Sequence, residues 1–197
     1  GATATINNDF RTFRSCLERG LQLLEALLGV DLGERLGARH AAPPEQRARL
    51  SITEGDVLKS PLEAADVVAA LNFAACFFHT RAALKQYCER VRESLKPGGV
   101  FVLDLMGGAF YEDVNEHENE IEDPEHFSYF LEEEDFDPLN RLAKFKIHYK
   151  RKGEPKRKNV FSYTFRMWTP PELRDLLIDC GFADARFYWE GTAPDGD

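Results

Sequence analysis

Long apolar runs are missing from this chain: no stretch of about 18 uninterrupted apolar residues occurs, so no segment reads as a membrane-spanning helix. The opening "GATATINNDF" has neither a basic start nor an apolar signal core, which sets the expectation of a cytoplasmic protein. Cysteine is sparse. Cys16, Cys76, Cys88 and Cys180 stand far apart, with no CxxC pair and no histidine at ligand spacing, so they read as reduced core thiols; no disulfide framework and no metal site is expected. Positive charge is in deficit, 25 Lys and Arg against 34 Asp and Glu for a formal charge of -9, and this disfavours a surface built to track a phosphate backbone. Glycine is absent from Ala2 to Arg19, and internal repeats are absent throughout.

What is present is enough apolar material for one core: 43% hydrophobic and 12% aromatic residues over 197 positions read as a single domain, 1–197. "ATATI" reads as a short strand, "RTFRSCLERG" as a helix ending at Gly20, and the region Ala26 to Leu32 as a second strand, although the leucines from Leu21 to Leu28 also suit a helix. Strands follow near Leu50 to Thr53 and at Val67 to Leu71, the latter continuously apolar, as a parallel strand covered on both faces is. Ala83, Leu84, Tyr87, Val91 and Leu95 recur at helical spacing, ended by Pro97 and two glycines, before the apolar run "VFVLDLMGG". Alternating strands and helices predict an α/β fold with a doubly wound, mostly parallel Rossmann-like sheet.

After Phe110 the texture changes. "YEDVNEHENEIEDPEH" is acidic and turn-rich; "FSYFLEEEDF", "RLAKFKIHYKR" and "NVFSYTFRMW" then alternate apolar and polar residues as three strands, joined by the turn signals "DPLN" and "KGEPKR". Residues 111–168 therefore read as an antiparallel β insertion. Its basic run from Lys144 to Lys158, interleaved with Phe145 and Tyr149, suits a nucleic-acid hairpin. Alternation also places Lys144, Lys146, His148 and Lys150 on one face and Phe145, Ile147 and Tyr149 on the other, an amphipathic strand that the acids from Glu112 to Glu134 can neutralise; this is the preferred reading. In "TPPELRDLLIDCG", Thr169 as N-cap, prolines at the first helical positions and Gly181 as stop predict a helix, with a strand in "FADARFYWEG" after it.

"GVDLG", "EGDVLKSPLEAADVVAALNF", "VRESLKPGGVFVLDL" and "RMWTPPELRDLLIDCGF", in that order, resemble a class I S-adenosylmethionine-dependent methyltransferase of the small-molecule type, with the antiparallel insertion after the fifth strand. The resemblance implies S-adenosyl-L-methionine as cofactor and a small-molecule acceptor. It implies that Asp31, at the tip of the second strand, accepts from both ribose hydroxyls, as one carboxylate can; Leu32 follows it. A solvated or helix-initiating Asp31 is the plain alternative. It places Asp56 on the adenine amine with Val57 and Leu58 lining the ring, where Gly55 and Asp56 also suit a simple turn. Asn72 and Phe73 fall beside the methionine and sulfonium, with loop capping and core packing as their alternatives.

For the acceptor, the candidates are Phe78, Tyr129, Tyr163, Arg166 and Trp168, with Phe77, Asp104, Met106 and His148 also in view. His79 is the catalytic candidate because histidine titrates near neutrality, and it equally suits the start of the following helix. The sequence departs from the family at its first loop, where a glycine-rich E/D-x-G-x-G type motif is expected and Asp9, Phe10, Arg11 and Thr12 stand instead; Asp9, Phe10 and Thr12 are the cofactor-facing candidates there. Two other readings stay open: a methyltransferase-like module that binds or scaffolds without catalysis, and a nicotinamide-dependent oxidoreductase, against which the missing G-x-G-x-x-G counts.

Overall fold

The computed structural model describes residues 3–8, 49, 51, 55–106, 112, 115–121 and 127–189. Four strands form a parallel sheet in the order β2-β3-β1-β8: β1 (Thr3–Asn8), β2 (Ala65–Ala70), β3 (Leu95–Asp104) and β8 (Asp184–Trp189). Helix α1 (Arg81–Ser94) links β2 to β3, and α2 (Pro170–Asp179) precedes β8. A second, antiparallel sheet has the order β4-β5-β6-β7: β4 (Asn115–Ile121), β5 (Phe127–Asp137), β6 (Leu142–Arg151) and β7 (Arg157–Arg166). Parallel α/β and antiparallel β thus coexist, as the alternation and the turn signals imply.

The helices form where the sequence marks them. Thr80 caps α1 by accepting from Ala83 N at 3.2 Å, and Leu84, Cys88 and Val91 bury one face. The expected end of this helix at Pro97 comes earlier. Pro97 excludes helical backbone at Lys96, and the chain leaves the helix already at Ser94, with Leu95 extended and paired with Ala65 in the sheet. Gly99 then passes so close to β2 that a Cβ there would lie 3.1 Å from the Asp66 carbonyl oxygen. In α2, Thr169 and Glu172 form a reciprocal capping box, prolines occupy the first turn, and Gly181 ends the helix at φ 85°.

Three expectations need correction. First, the alternation of strands and helices places the strand ending at Asp31 beside the first strand, yet the two edges of β1 are taken by β3 (Thr3 opposite Val100) and by β8 (Thr3 opposite Asp184). Asp31 itself, with Leu32, Asp9, Phe10 and Thr12, lies outside the described residues. Second, the acidic stretch holds a strand, β4, whose residues pair with β5 from Asn115 opposite Glu133 to Ile121 opposite Phe127; ladder bonds there outweigh the low strand propensity of Asn and Glu. Third, β2 is not covered on both faces: Val67 is 44% exposed, and among the described residues β2 is the outer strand of its sheet.

Lys144 and Lys146 lie on one face of β6 and Phe145 and Ile147 on the other, the latter two buried. On the charged face Lys144 meets Asp135 at 2.9 Å and Lys146 pairs with Glu134, while Lys156 meets Glu116 at 2.6 Å. The buried face continues the core with Leu131, Phe165 and Tyr129. Among the described residues no helix is long and apolar enough to cross a membrane.

Candidate functional site

The parallel strands present their C-terminal ends together, the edge where open α/β sheets take ligands. At that edge β2 runs through Leu71 into Asn72 (φ 63°) and Phe73 (φ 58°), two successive non-glycine residues in the left-handed region, followed by a 3-10 turn at Ala74–Phe77. The last residue of β3, Asp104, holds them: its two carboxylate oxygens accept from Asn72 N at 2.8 Å and Phe73 N at 2.7 Å. Asp104 is 5% exposed, and burial pushes its carboxyl up to about 6 against the opposing pull of those backbone donors. Phe73 turns its ring into the core while Asn72 stays exposed. For Phe73 this is the core packing offered as its alternative.

The antiparallel sheet is joined to the same edge. Phe77 packs edge-on against Phe165 of β7, with ring centroids 4.9 Å apart. His79 Nε2 is 2.8 Å from the Thr164 carbonyl oxygen; a carbonyl only accepts, so Nε2–H is the donor and the Nδ1 lone pair is the ring's acceptor. The helix cap is Thr80, not His79. Phe78 stacks on Tyr87 at 4.9 Å, and its carbonyl accepts from Trp168 Nε1 at 3.2 Å.

The other sequence candidates fall into two groups. Tyr129 and Trp168 are buried, and Tyr163 and Arg166 half-buried. Tyr163 lies across the ladder from Phe145, its ring stacked on Phe165 at 5.0 Å, and burial raises its phenol above the ordinary value. Arg166 covers the Trp168 ring at 4.4 Å and donates to Glu172 at 2.9 Å, lining with Arg81, Arg174 and Asp175 a cleft of about 600 Å³. Asp56 is exposed: its carboxylate accepts from Leu58 N at 2.9 Å and meets Lys59 at 3.0 Å, which lowers its pKa, and Val57 beside it is 56% exposed. That is the turn its composition favours.

Glu116, Glu132 and His148 bring possible metal-ligand atoms within 4.8 Å of one another. The ring hydrogen bonds argue against an ion there. His148 Nδ1 accepts from Asn159 N at 2.9 Å, so the ring proton is on Nε2, which donates to Glu132 at 2.6 Å; a metal on Nε2 would need that proton moved to Nδ1, facing another N–H. Lys156 already neutralises Glu116.

No protein-family model and no curated protein sequence matches the chain. Solved structures do. The fold is the Rossmann-like α/β fold of S-adenosylmethionine-dependent methyltransferases. In particular, the chain is similar to the CcbJ methyltransferase from Streptomyces caelestis (TM-score 0.63, 18% identity, 90% of this chain and 72% of that one). It is also similar to an S-adenosylmethionine-dependent methyltransferase from Clostridium acetobutylicum (0.57, 18%, 90% and 72%). A third likeness is to CalS10, an amino pentose methyltransferase from Micromonospora echinaspora with S-adenosylmethionine bound (0.57, 17%, 91% and 75%).

The residue that sequence reasoning ranked too low is Asp104. It was one acid in an apolar strand; only the positive φ values at Asn72 and Phe73, invisible in the sequence, reveal its task.

Proposed function

We propose that this chain is an S-adenosylmethionine-dependent methyltransferase acting on a small-molecule acceptor, built as one domain in which residues 111–168 cover the ligand edge. The observation that carries this reading is the clamp of Asn72 and Phe73 by Asp104 at the C-terminal ends of β2 and β3. A buried carboxylate beside an exposed amide suits a ligand that carries a sulfonium and a polar amino-acid tail. The likeness to CalS10, itself an amino pentose methyltransferase, supports the small-molecule class.

When bound, the cofactor supplies an electrophilic methyl group on its sulfonium. The chain's own work is positioning in a water-poor site and removal of the acceptor's proton. In this reading Asp31 holds the ribose diol with Leu32 beside it; Asp56, Val57 and Leu58 face the adenine; and Asn72 and Phe73 border the methionine moiety. Asp9, Phe10 and Thr12 supply the first loop. His79, tied through Nε2 to Thr164, takes the acceptor's proton on Nδ1. Phe78, Tyr129, Tyr163, Arg166 and Trp168 shape the acceptor side.

The test is transfer of labelled methyl from S-adenosylmethionine to a panel of amino sugars and other small amines and alcohols. Turnover supports the enzyme; saturable cofactor binding with no acceptor turned over across such a panel favours a binding module.

A further inference from the structure

We infer that Asp104 is a positioning residue for the cofactor edge: it holds Asn72 and Phe73 in left-handed backbone so that Asn72 faces the ligand. This rests on the methyltransferase reading. A non-glycine residue in this region is strained, and a bulky one such as Phe73 is seldom found there. Two in succession persist only if something outside them fixes them. Their consecutive N–H groups converge as they do in an anion-binding nest, and the anion is the protein's own carboxylate, at 2.8 and 2.7 Å.

The register explains why this acid can reach. Ala70 is the last residue of β2 paired with β3, opposite Leu103, so Asp104 stands one step further on, level with the start of the loop. Its burial, 5% exposed, excludes a mere surface cap. Cys76 of the 3-10 turn feels this carboxylate: burial chiefly, and the Asp104 charge with it, push that thiol up to about 12, so it remains uncharged. The consequence is a division of labour between adjacent residues. Phe73 locks the loop to the core at 1% exposure, and Asn72 is thereby turned outward at the strand end.

The experiment is D104N, with backbone amide NMR and calorimetric titration by S-adenosylhomocysteine. The substitution keeps one acceptor oxygen and puts an N–H₂ donor against the second backbone N–H. The Asn72 and Phe73 amide resonances are expected to move together, and S-adenosylhomocysteine to bind roughly ten- to a hundredfold more weakly in a chain that keeps its amide dispersion. Unchanged affinity with displaced amide resonances overturns the positioning role and leaves the methyltransferase reading standing. If the wild type binds no S-adenosylhomocysteine, both fall. Should D104N fail to fold, the wild type decides: titration must shift the Asn72 and Phe73 amides, and amides that stay fixed at saturation overturn the inference.

Discussion

His79 donates from Nε2 to the carbonyl oxygen of Thr164 at 2.8 Å, tying the loop beyond the parallel sheet to the last strand of the antiparallel one. One side chain thus has two separable tasks, a tether through Nε2 and a proton acceptor through Nδ1. H79Q separates them, because a glutamine amide can still donate to Thr164 but cannot take up a proton at neutral pH. H79A is expected to lose about 0.5–1.5 kcal/mol of stability and H79Q much less. Both should lose methyl transfer by about a hundredfold or more. Urea melts beside a methyl-transfer assay check this; full activity in H79Q would remove His79 from the chemistry.

Trp168 supports that same loop from the other side. Its Nε1–H meets the carbonyl of Phe78, the residue before His79, at 3.2 Å. W168F keeps most of the ring and leaves that half-buried carbonyl without its donor, for an expected loss of about 1–2 kcal/mol. In a chain of this size that lowers the melting temperature by roughly 2–8 °C. A melting temperature equal to wild type would show that the hydrogen bond contributes nothing.

Much of this architecture is legible in the residues. Thr169 with Glu172 three positions later announces α2, and the alternation through Phe145, Ile147 and Tyr149 announces β6, because local chemistry alone decides both. β4 is not legible, since "NEHENEI" pairs through its backbone and its composition argues the other way. The neighbours of β1 are set by long-range pairing that no local signal encodes. The site divides in the same way. Asn72 and Phe73 follow from the apolar strand that ends before them, and the turn at Asp56 from Gly55 and Asp56 themselves, whereas Asp104 depends on backbone angles.

Glu133 makes stability depend on pH. It is 2% exposed in the aromatic layer of the antiparallel sheet, and burial pushes its carboxyl from 4.5 to about 7. The folded chain therefore holds this proton more tightly than the unfolded chain does, and the contribution is greatest below pH 4.5 and lost as pH rises to 7. The loss amounts to at most about 3 kcal/mol. E133Q, which is neutral throughout, should be more stable relative to wild type at pH 8 than at pH 5. Denaturant unfolding at the two pH values decides, and an equal difference at both contradicts the assignment.

The Glu116, Glu132 and His148 cluster should ignore metals. Because Asn159 N–H occupies His148 Nδ1, added zinc or manganese is expected to leave the melting temperature unchanged within error. A saturable rise that E132Q abolishes would make the cluster a metal site after all.

The central claim is cofactor binding, and calorimetric titration with S-adenosylhomocysteine tests it most directly. The wild type should bind saturably and show no heat with NAD. D31A, which removes both proposed acceptors of the ribose diol, should bind roughly ten- to a hundredfold more weakly, and D31N by less because one oxygen remains. A wild-type chain that gives no binding heat with S-adenosylhomocysteine across temperatures, yet is folded, would contradict the account.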